Sequence, residues 1–214
     1  MATRRRVSVL YAPGTNTEIE TMEALRLAGG DPYLVFLKDI IKGKVRITDC
    51  SCFVVPGGFS YGDYPDTGVA VAELLREHLT LLADSGIPII GICNGMQTLI
   101  RAGVFFGSGL AMAENESGDF VSRPVLHRVE DADCVWTRGL EGRVLVFPAA
   151  HRFGKLEGTG RVNVVMTYEG ASPSGSKVAA ICDDTGRVMA MMDHPERPPD
   201  SEQGLAIFRN GLTA

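Results

Sequence analysis

No apolar run in this 214-residue chain approaches the ~20 residues that a helix needs to cross a bilayer. A basic excess is also missing, with 21 Lys and Arg against 26 Asp and Glu for a formal net charge of −5. That balance gives no electrostatic reason to expect nucleic acid or an anionic membrane as a partner. Arg4-Arg5-Arg6 before Val7-Ser8-Val9-Leu10 has the look of a signal peptide, but the apolar stretch is too short and Pro13-Gly14 interrupts it. The cytoplasm is the expected location. A disulfide framework is absent too. The cysteines Cys50, Cys52, Cys93, Cys134 and Cys182 are odd in number and scattered, as in a reducing compartment. Cys50-Ser51-Cys52 does not make half a metal site. Alternate strand residues face apart, no second cysteine pair exists, and His127 has no partner at ligand spacing. Buried, small and apolar is the better description of these thiols.

With 45% apolar and 22% charged residues, the composition is that of an ordinary globular domain, long enough to bury a core without staples. No repeat, low-complexity tract or interdomain linker divides it, so one domain spanning residues 1–214 is expected. Short β-branched runs alternate with helical periodicity in the first half. Strands are expected at 7–11, 33–37, 52–56 and 87–92, and helices at 17–28, 69–82 and 94–102. Near-continuous apolar strands alternating with helices imply a parallel sheet covered on both faces. After Gly103 the pattern changes. Strands at 121–129, 143–148 and 162–168 have no helix between them, and 178–182 and 188–192 flank a hairpin turn at Asp183-Asp184-Thr185-Gly186. A last helix is expected at 201–212. The fold class is therefore α/β: an open, mostly parallel sheet with helices on both faces, plus an antiparallel extension.

One cysteine stands apart. The run Ile87 to Ile92 ends on Cys93, and Asn94-Gly95-Met96-Gln97-Thr98-Leu99-Ile100 follows at once with helical spacing. A cysteine on a tight turn between a buried strand and a helix has the geometry of a nucleophile elbow. Gly91 and Gly95 flank it where side chains would crowd such a turn. A helix amino terminus also favours a thiolate. Far downstream, His194-Pro195-Glu196 holds an imidazole and a carboxylate two residues apart. Together these are a nucleophile, a base and a group to orient the base. The third strand runs into Pro56-Gly57-Gly58-Phe59-Ser60-Tyr61-Gly62-Asp63-Tyr64. Glycines so dense after a strand serve either tight turning or close approach of the backbone to a ligand. Ligands of open α/β sheets lie outside the carboxyl ends of the strands, so this loop should share a rim with Cys93. Backbone N–H groups of Gly58 and Asn94 are then candidates for an oxyanion hole.

Gly91-Ile92-Cys93-Asn94-Gly95-Met96-Gln97 with His194-Pro195-Glu196 resembles the class I (triad) glutamine amidotransferases. Pro13-Gly14-Thr15-Asn16, the Gly-Phe-Ser-Tyr-Gly-Asp loop and Asn115-Glu116-Ser117-Gly118-Asp119-Phe120-Val121-Ser122-Arg123 narrow the likeness. They resemble the glutaminase subunits of phosphoribosylformylglycinamidine synthase in purine biosynthesis. The resemblance implies catalysis by Cys93, His194 and Glu196, with Gly58 and Asn94 as oxyanion donors. It also implies contacts from Gln97 and Asn115 to substrate glutamine. It further implies an ATP-dependent synthetase as partner, with a small accessory subunit beside it, and places ATP and Mg on that synthetase. No cofactor or metal is expected in this chain, which has no Gly-x-x-x-x-Gly-Lys-Ser/Thr run. An amidotransferase for another synthetase, a stand-alone glutamine hydrolase and a non-catalytic regulatory subunit are the alternatives.

Two segments depart from the family pattern. His151-Arg152-Phe153-Gly154 stands where His-Gly-Glu-Gly is usual, and Asp193 stands before His-Pro-Glu in place of an apolar residue or proline. The first segment is expected at the rim near Cys93. It is either a solvated turn or a docking site with Phe153 as apolar anchor and Arg152 as paired charge. Asp193 is expected to disturb His194 little, since neighbours in an extended segment face apart.

Overall fold

The computed structural model describes residues 4–60, 68–105, 109–130, 133–158 and 162–214. The amino-terminal half alternates as expected. Its elements are β1 (Arg6–Tyr11), α1 (Glu18–Leu27), β2 (Asp31–Phe36), α2 (Leu37–Ile41), β3 (Cys52–Val55), α3 (Val69–Asp84), β4 (Ile89–Ile92) and α4 (Asn94–Arg101). Then follow β5 (Ala111–Ala113), β6 (Val121–Val129), β7 (Val144–His151), β8 (Lys155–Glu157), β9 (Asn163–Glu169), β10 (Val178–Cys182), β11 (Val188–Met191) and α5 (Glu202–Thr213).

A nine-stranded sheet runs in the order β2-β1-β3-β4-β11-β10-β9-β6-β7, and β5 pairs with β8 in a separate ribbon. Pairings from β2 through β11 are parallel, and those from β11 to β7 are antiparallel. Every residue of β3, β4 and β11 is buried. Strands this apolar can sit only where helices cover both faces, and each fully buried Ile or Val contributes about 1.5–3 kcal/mol. Helix α3 turns Ala72, Leu75, Leu79 and Leu82 inward, the stripe that its 3.6-residue periodicity predicts.

Three features differ from the sequence expectation. Leu37 opens the short helix α2 instead of ending β2. The three-residue strands β5 and β8 are too short to show any alternation. Strand β7 continues past Pro148 to His151, paired throughout with β6. Proline is tolerated there because β7 is an edge strand.

That edge does not stay at the margin. The His194 N–H, just beyond β11, donates to the Pro148 carbonyl of β7 at 3.0 Å. The antiparallel extension therefore curls back over the carboxyl ends of the parallel strands. The exposed edge amide of Val146 is taken up by the Gln203 side chain of α5 at 2.6 Å, which blunts the edge against pairing with another chain.

Candidate active site

Cys93 has φ +53° and ψ −109° and is the one non-glycine residue with positive φ among those described. Such strain is held only where the surroundings over-determine it, and it marks functional sites. Both flanking glycines are required by contact. A Cβ at Gly95 would run into the Val55 carbonyl, and one at Gly91 would lie 2.5 Å from Leu99 Cδ1 and 2.7 Å from the Gly95 carbonyl oxygen. Helix α4 thus packs directly on the backbone of β3, with every residue from Asn94 to Ile100 buried.

His194 Nδ1 lies 2.7 Å from Glu196 Oε1, with both side chains buried. This leaves the other ring nitrogen for Cys93, with which His194 shares a hydrogen bond. Burial works to lower the His194 pKa. The charges of Glu196 and Cys93, with their hydrogen bonds, overcome it and push the value up to about 10. Such a ring favours its protonated form between Glu196 and Cys93.

The loop after β3 is pinned from two sides. Thr17 stands at the N-cap position of α1 but does not cap the helix. Its hydroxyl accepts from the Gly57 N–H at 3.0 Å. Asn16 N–H donates to the Gly57 carbonyl at 3.2 Å, and Phe59 N–H to the Gly14 carbonyl at 2.8 Å. These bonds flank the antiparallel bridge between Thr15 and Gly58, so the polar groups of that pair point outward. Gly58 then lines a cavity of about 170 Å³ together with Cys93, His194, Phe59, Phe120 and Arg197. Asn94 is the first residue of α4, directly after Cys93. A Cβ at Gly57 would lie 2.9 Å from His194 Cε1 and 3.4 Å from Cys93 Cβ. Tyr61, Gly62, Asp63 and Tyr64 of the glycine-rich loop lie outside the described residues.

Gln97 and Asn115 are both buried, and protein groups hold their polar atoms. Gln97 Nε2 donates to the Phe153 carbonyl at 2.9 Å, and its Oε1 accepts from Asn94 Nδ2 at 2.9 Å. Asn115 Nδ2 donates to the carbonyls of Asp119 at 3.0 Å and His151 at 2.9 Å.

The 151–154 segment meets α4 through the Phe153 carbonyl, and the preceding residue, Ala150, borders Cys93. The Cys93 thiol faces the Ala150 carbonyl, with sulfur and oxygen 3.8 Å apart. A surface anchor at Phe153 is not found, because its side chain is only 7% exposed. Arg152 is exposed and pairs with Glu114 at 2.8 Å. Sequence patterning missed Thr17 and Arg197, which carry no periodic signal. Arg197 is half-buried and pairs with Glu20 at 3.4 Å. A larger cavity of about 470 Å³ lies at the opposite sheet edge, beside Cys182, Asp183 and Arg187. Its one thiol, Cys182, is 1% exposed and donates to the neighbouring Asp183 carboxylate, with sulfur and oxygen 3.9 Å apart.

An α/β sheet with a strained cysteine elbow and a carboxylate-bound imidazole defines a glutamine amidotransferase of the triad class. Residues 4–207 match the model of the CobB/CobQ-like glutamine amidotransferase domain. The chain belongs to the family of phosphoribosylformylglycinamidine synthase subunit PurQ. It is 36% identical to that subunit from Pyrococcus horikoshii, over 95% of each chain. Identity to the Thermotoga maritima subunit is 35%, covering 97% of this chain and 96% of that relative. A chain in the solved structure of PurLQS from Thermotoga maritima superposes with a TM-score of 0.88 at 32% identity, covering 99% of both. No described helix is long and apolar enough to cross a membrane.

Proposed function

We propose that this chain is the glutaminase subunit of a cytoplasmic phosphoribosylformylglycinamidine synthase. It would hydrolyse glutamine and pass the ammonia to a separate synthetase subunit. The observation that carries this reading is the hydrogen-bonded line of Cys93, His194 and Glu196 on one rim. In the proposed reaction the Cys93 thiolate attacks the side-chain carboxamide carbon of glutamine. The N–H groups of Gly58 and Asn94 receive the developing oxyanion. The His194 imidazolium gives its proton to the departing nitrogen, and the C–N bond breaks to release ammonia and leave a thioester. Water then attacks the thioester while His194 takes up its proton. Glutamate leaves and the sulfur is restored. Glu196 holds His194 in one orientation throughout.

Gln97 and Asn115 shape the glutamine pocket in this account, through the carbonyls and amides that they fix. Formation of the amidine needs ATP and Mg, which we place on the partner synthetase, a protein of the kind joined to PurQ in the PurLQS assembly. A small accessory subunit completes the proposed complex.

The test is glutamate release by the chain alone and with a PurL-type synthetase, formylglycinamide ribonucleotide and ATP. Slow hydrolysis by the lone chain, stimulated by the complete mixture and matched by amidine formation, is the expected outcome. A fast rate that no partner changes would point to a stand-alone hydrolase.

A further inference from the structure

Behind the reactive groups lies a second carboxylate–imidazole system that the proposed reaction does not use. Asp193 follows β11 and is fully buried. Three strands present polar side chains to it. His127 of β6 lies with Nε2 at 2.7 Å from Asp193 Oδ2, and His151 of β7 with Nε2 at 3.5 Å from Oδ1. Tyr168 of β9 also interacts with the carboxylate, and burial followed by the Asp193 charge holds its pKa well above the usual tyrosine range. Burial alone would raise the Asp193 carboxyl, but the two histidines hold it well below the ordinary carboxylate range. A contact of 2.7 Å between nitrogen and oxygen is a direct hydrogen bond, with no room for a metal ion between the two atoms.

Asn115 holds His151 through Nδ1. Its Nδ2 already donates to two carbonyls, so Oδ1 is the acceptor that receives the Gly154 N–H at 3.1 Å and His151 Nδ1 at 3.2 Å. Nδ1 is therefore a donor, while Nε2 lies 3.5 Å from Asp193 Oδ1, an ion-pair distance at which neither atom has a hydrogen-bond partner among the described residues. A Cβ at Gly154 would collide with the same ring. The His151 ring is thus hydrogen-bonded to Asn115 on one side, packed against the Gly154 backbone on another, and faces the Asp193 carboxylate at 3.5 Å on a third.

The residues around that ring form a wall of the site. Ala150 offers its carbonyl to the Cys93 thiol at 3.8 Å, and Phe153 offers its carbonyl to Gln97 at 2.9 Å. We propose that Asp193 is a positioning residue, which through His151 sets the 150–154 wall against Cys93 and Gln97 and so shapes the pocket for glutamine. The inference rests on the glutaminase reading above. It assigns Asp193 no contact with substrate, so its removal should act on KM and spare kcat.

The test compares Asp193→Leu with the isosteric Asp193→Asn in the full chain with its synthetase partner. An amide at this position can accept from His127 Nε2 and donate to His151 Nε2, so Asp193→Asn should keep KM within about threefold of wild type. Asp193→Leu should raise KM for glutamine by about tenfold or more while kcat falls by less than about threefold. His151→Leu should do the same, and the double variant should be no worse than either, as for residues acting in one network. Amide hydrogen exchange, which needs no activity, should quicken at residues 150–154 in Asp193→Leu and not in Asp193→Asn.

Unchanged KM and unchanged exchange in Asp193→Leu would overturn the proposal. So would a loss confined to kcat, or faster exchange spread evenly over the sheet in both variants. If wild-type chain and partner hydrolyse no glutamine, the glutaminase reading fails, and the exchange measurement still decides whether Asp193 sets the wall.

Discussion

Asp193 and His194 are consecutive, yet each is bound into a different carboxylate–imidazole system. His194 Nδ1 meets Glu196 at 2.7 Å, and Asp193 Oδ2 meets His127 at 2.7 Å. The chain bends at Met192 and Asp193, just past β11, and the two side chains go to different partners. One pair borders the cavity with Cys93, and the other is sealed among strands. The raised pKa of His194 comes from Glu196 and Cys93, working against burial.

Replacing the nucleophile should be decisive. Cys93→Ala is expected to lower glutamine hydrolysis by at least about a thousandfold, because residues of a triad act as a unit. A glutamine-like electrophile should label Cys93 and spare the rest. Burial pushes the Cys50 and Cys52 thiols up, and Cys134 and Cys182 are 3% and 1% exposed. Mass spectrometry showing label spread evenly over the five thiols would refute an activated site.

Stability should depend on pH through His194. Its folded value of about 10 lies above the ordinary 6.5. The folded state therefore binds this proton more tightly than the unfolded chain does. The resulting stabilisation is complete below about pH 6.5 and is lost as pH rises toward about 10. Melting temperatures measured across that window should fall more steeply for wild type than for Glu196→Gln. Parallel curves for the two proteins would show that the pair contributes no such linkage.

Two glycine substitutions should separate chemistry from folding. Gly95→Ala forces a methyl into the Val55 carbonyl, a clash with backbone that cannot yield cheaply. It should cost about 1–3 kcal/mol of stability or more. Gly57→Ala instead presses on His194 Cε1 at 2.9 Å, where an imidazole can rotate aside. Denaturant midpoints should move little for Gly57→Ala while kcat drops by about tenfold or more through a misplaced base. Equal loss of stability in both variants would contradict this division.

Phe153→Ala should behave as a core truncation. The ring is 7% exposed, so about 3 kcal/mol or more of stability should be lost. Basal glutaminase should fall with it, because the Phe153 carbonyl holds Gln97 at 2.9 Å. A variant of wild-type stability that has lost only affinity for the synthetase would restore the docking role.

Periodicity made most of the sheet legible. The runs ending at Tyr11, Val55 and Ile92 are apolar enough to require burial on both faces, and α3 shows its inward stripe plainly. The elbow was legible because a strand, a cysteine and a helix follow one another without a break. Thr17 was not legible. Its place before a helix reads as a cap, and only the tertiary contact with Gly57 diverts the hydroxyl. The inward turn of Phe153 was equally hidden, since a residue just beyond an edge strand has no alternation to place it. Nor did the sequence distance between His127 and Asp193 offer any sign that curling of the extension brings them together.

That curl has a consequence for synthesis. Cys93 leaves the ribosome about a hundred residues before His194. At ~5–20 residues per second the nascent elbow waits several seconds for its base. The His-Pro-Glu turn is then backed by α5, whose Gly204 packs on the Pro195 carbonyl so closely that no side chain fits between them. In the proposed glutaminase, a nascent chain that holds Cys93 but not yet His194 and Glu196 therefore lacks the base of its triad.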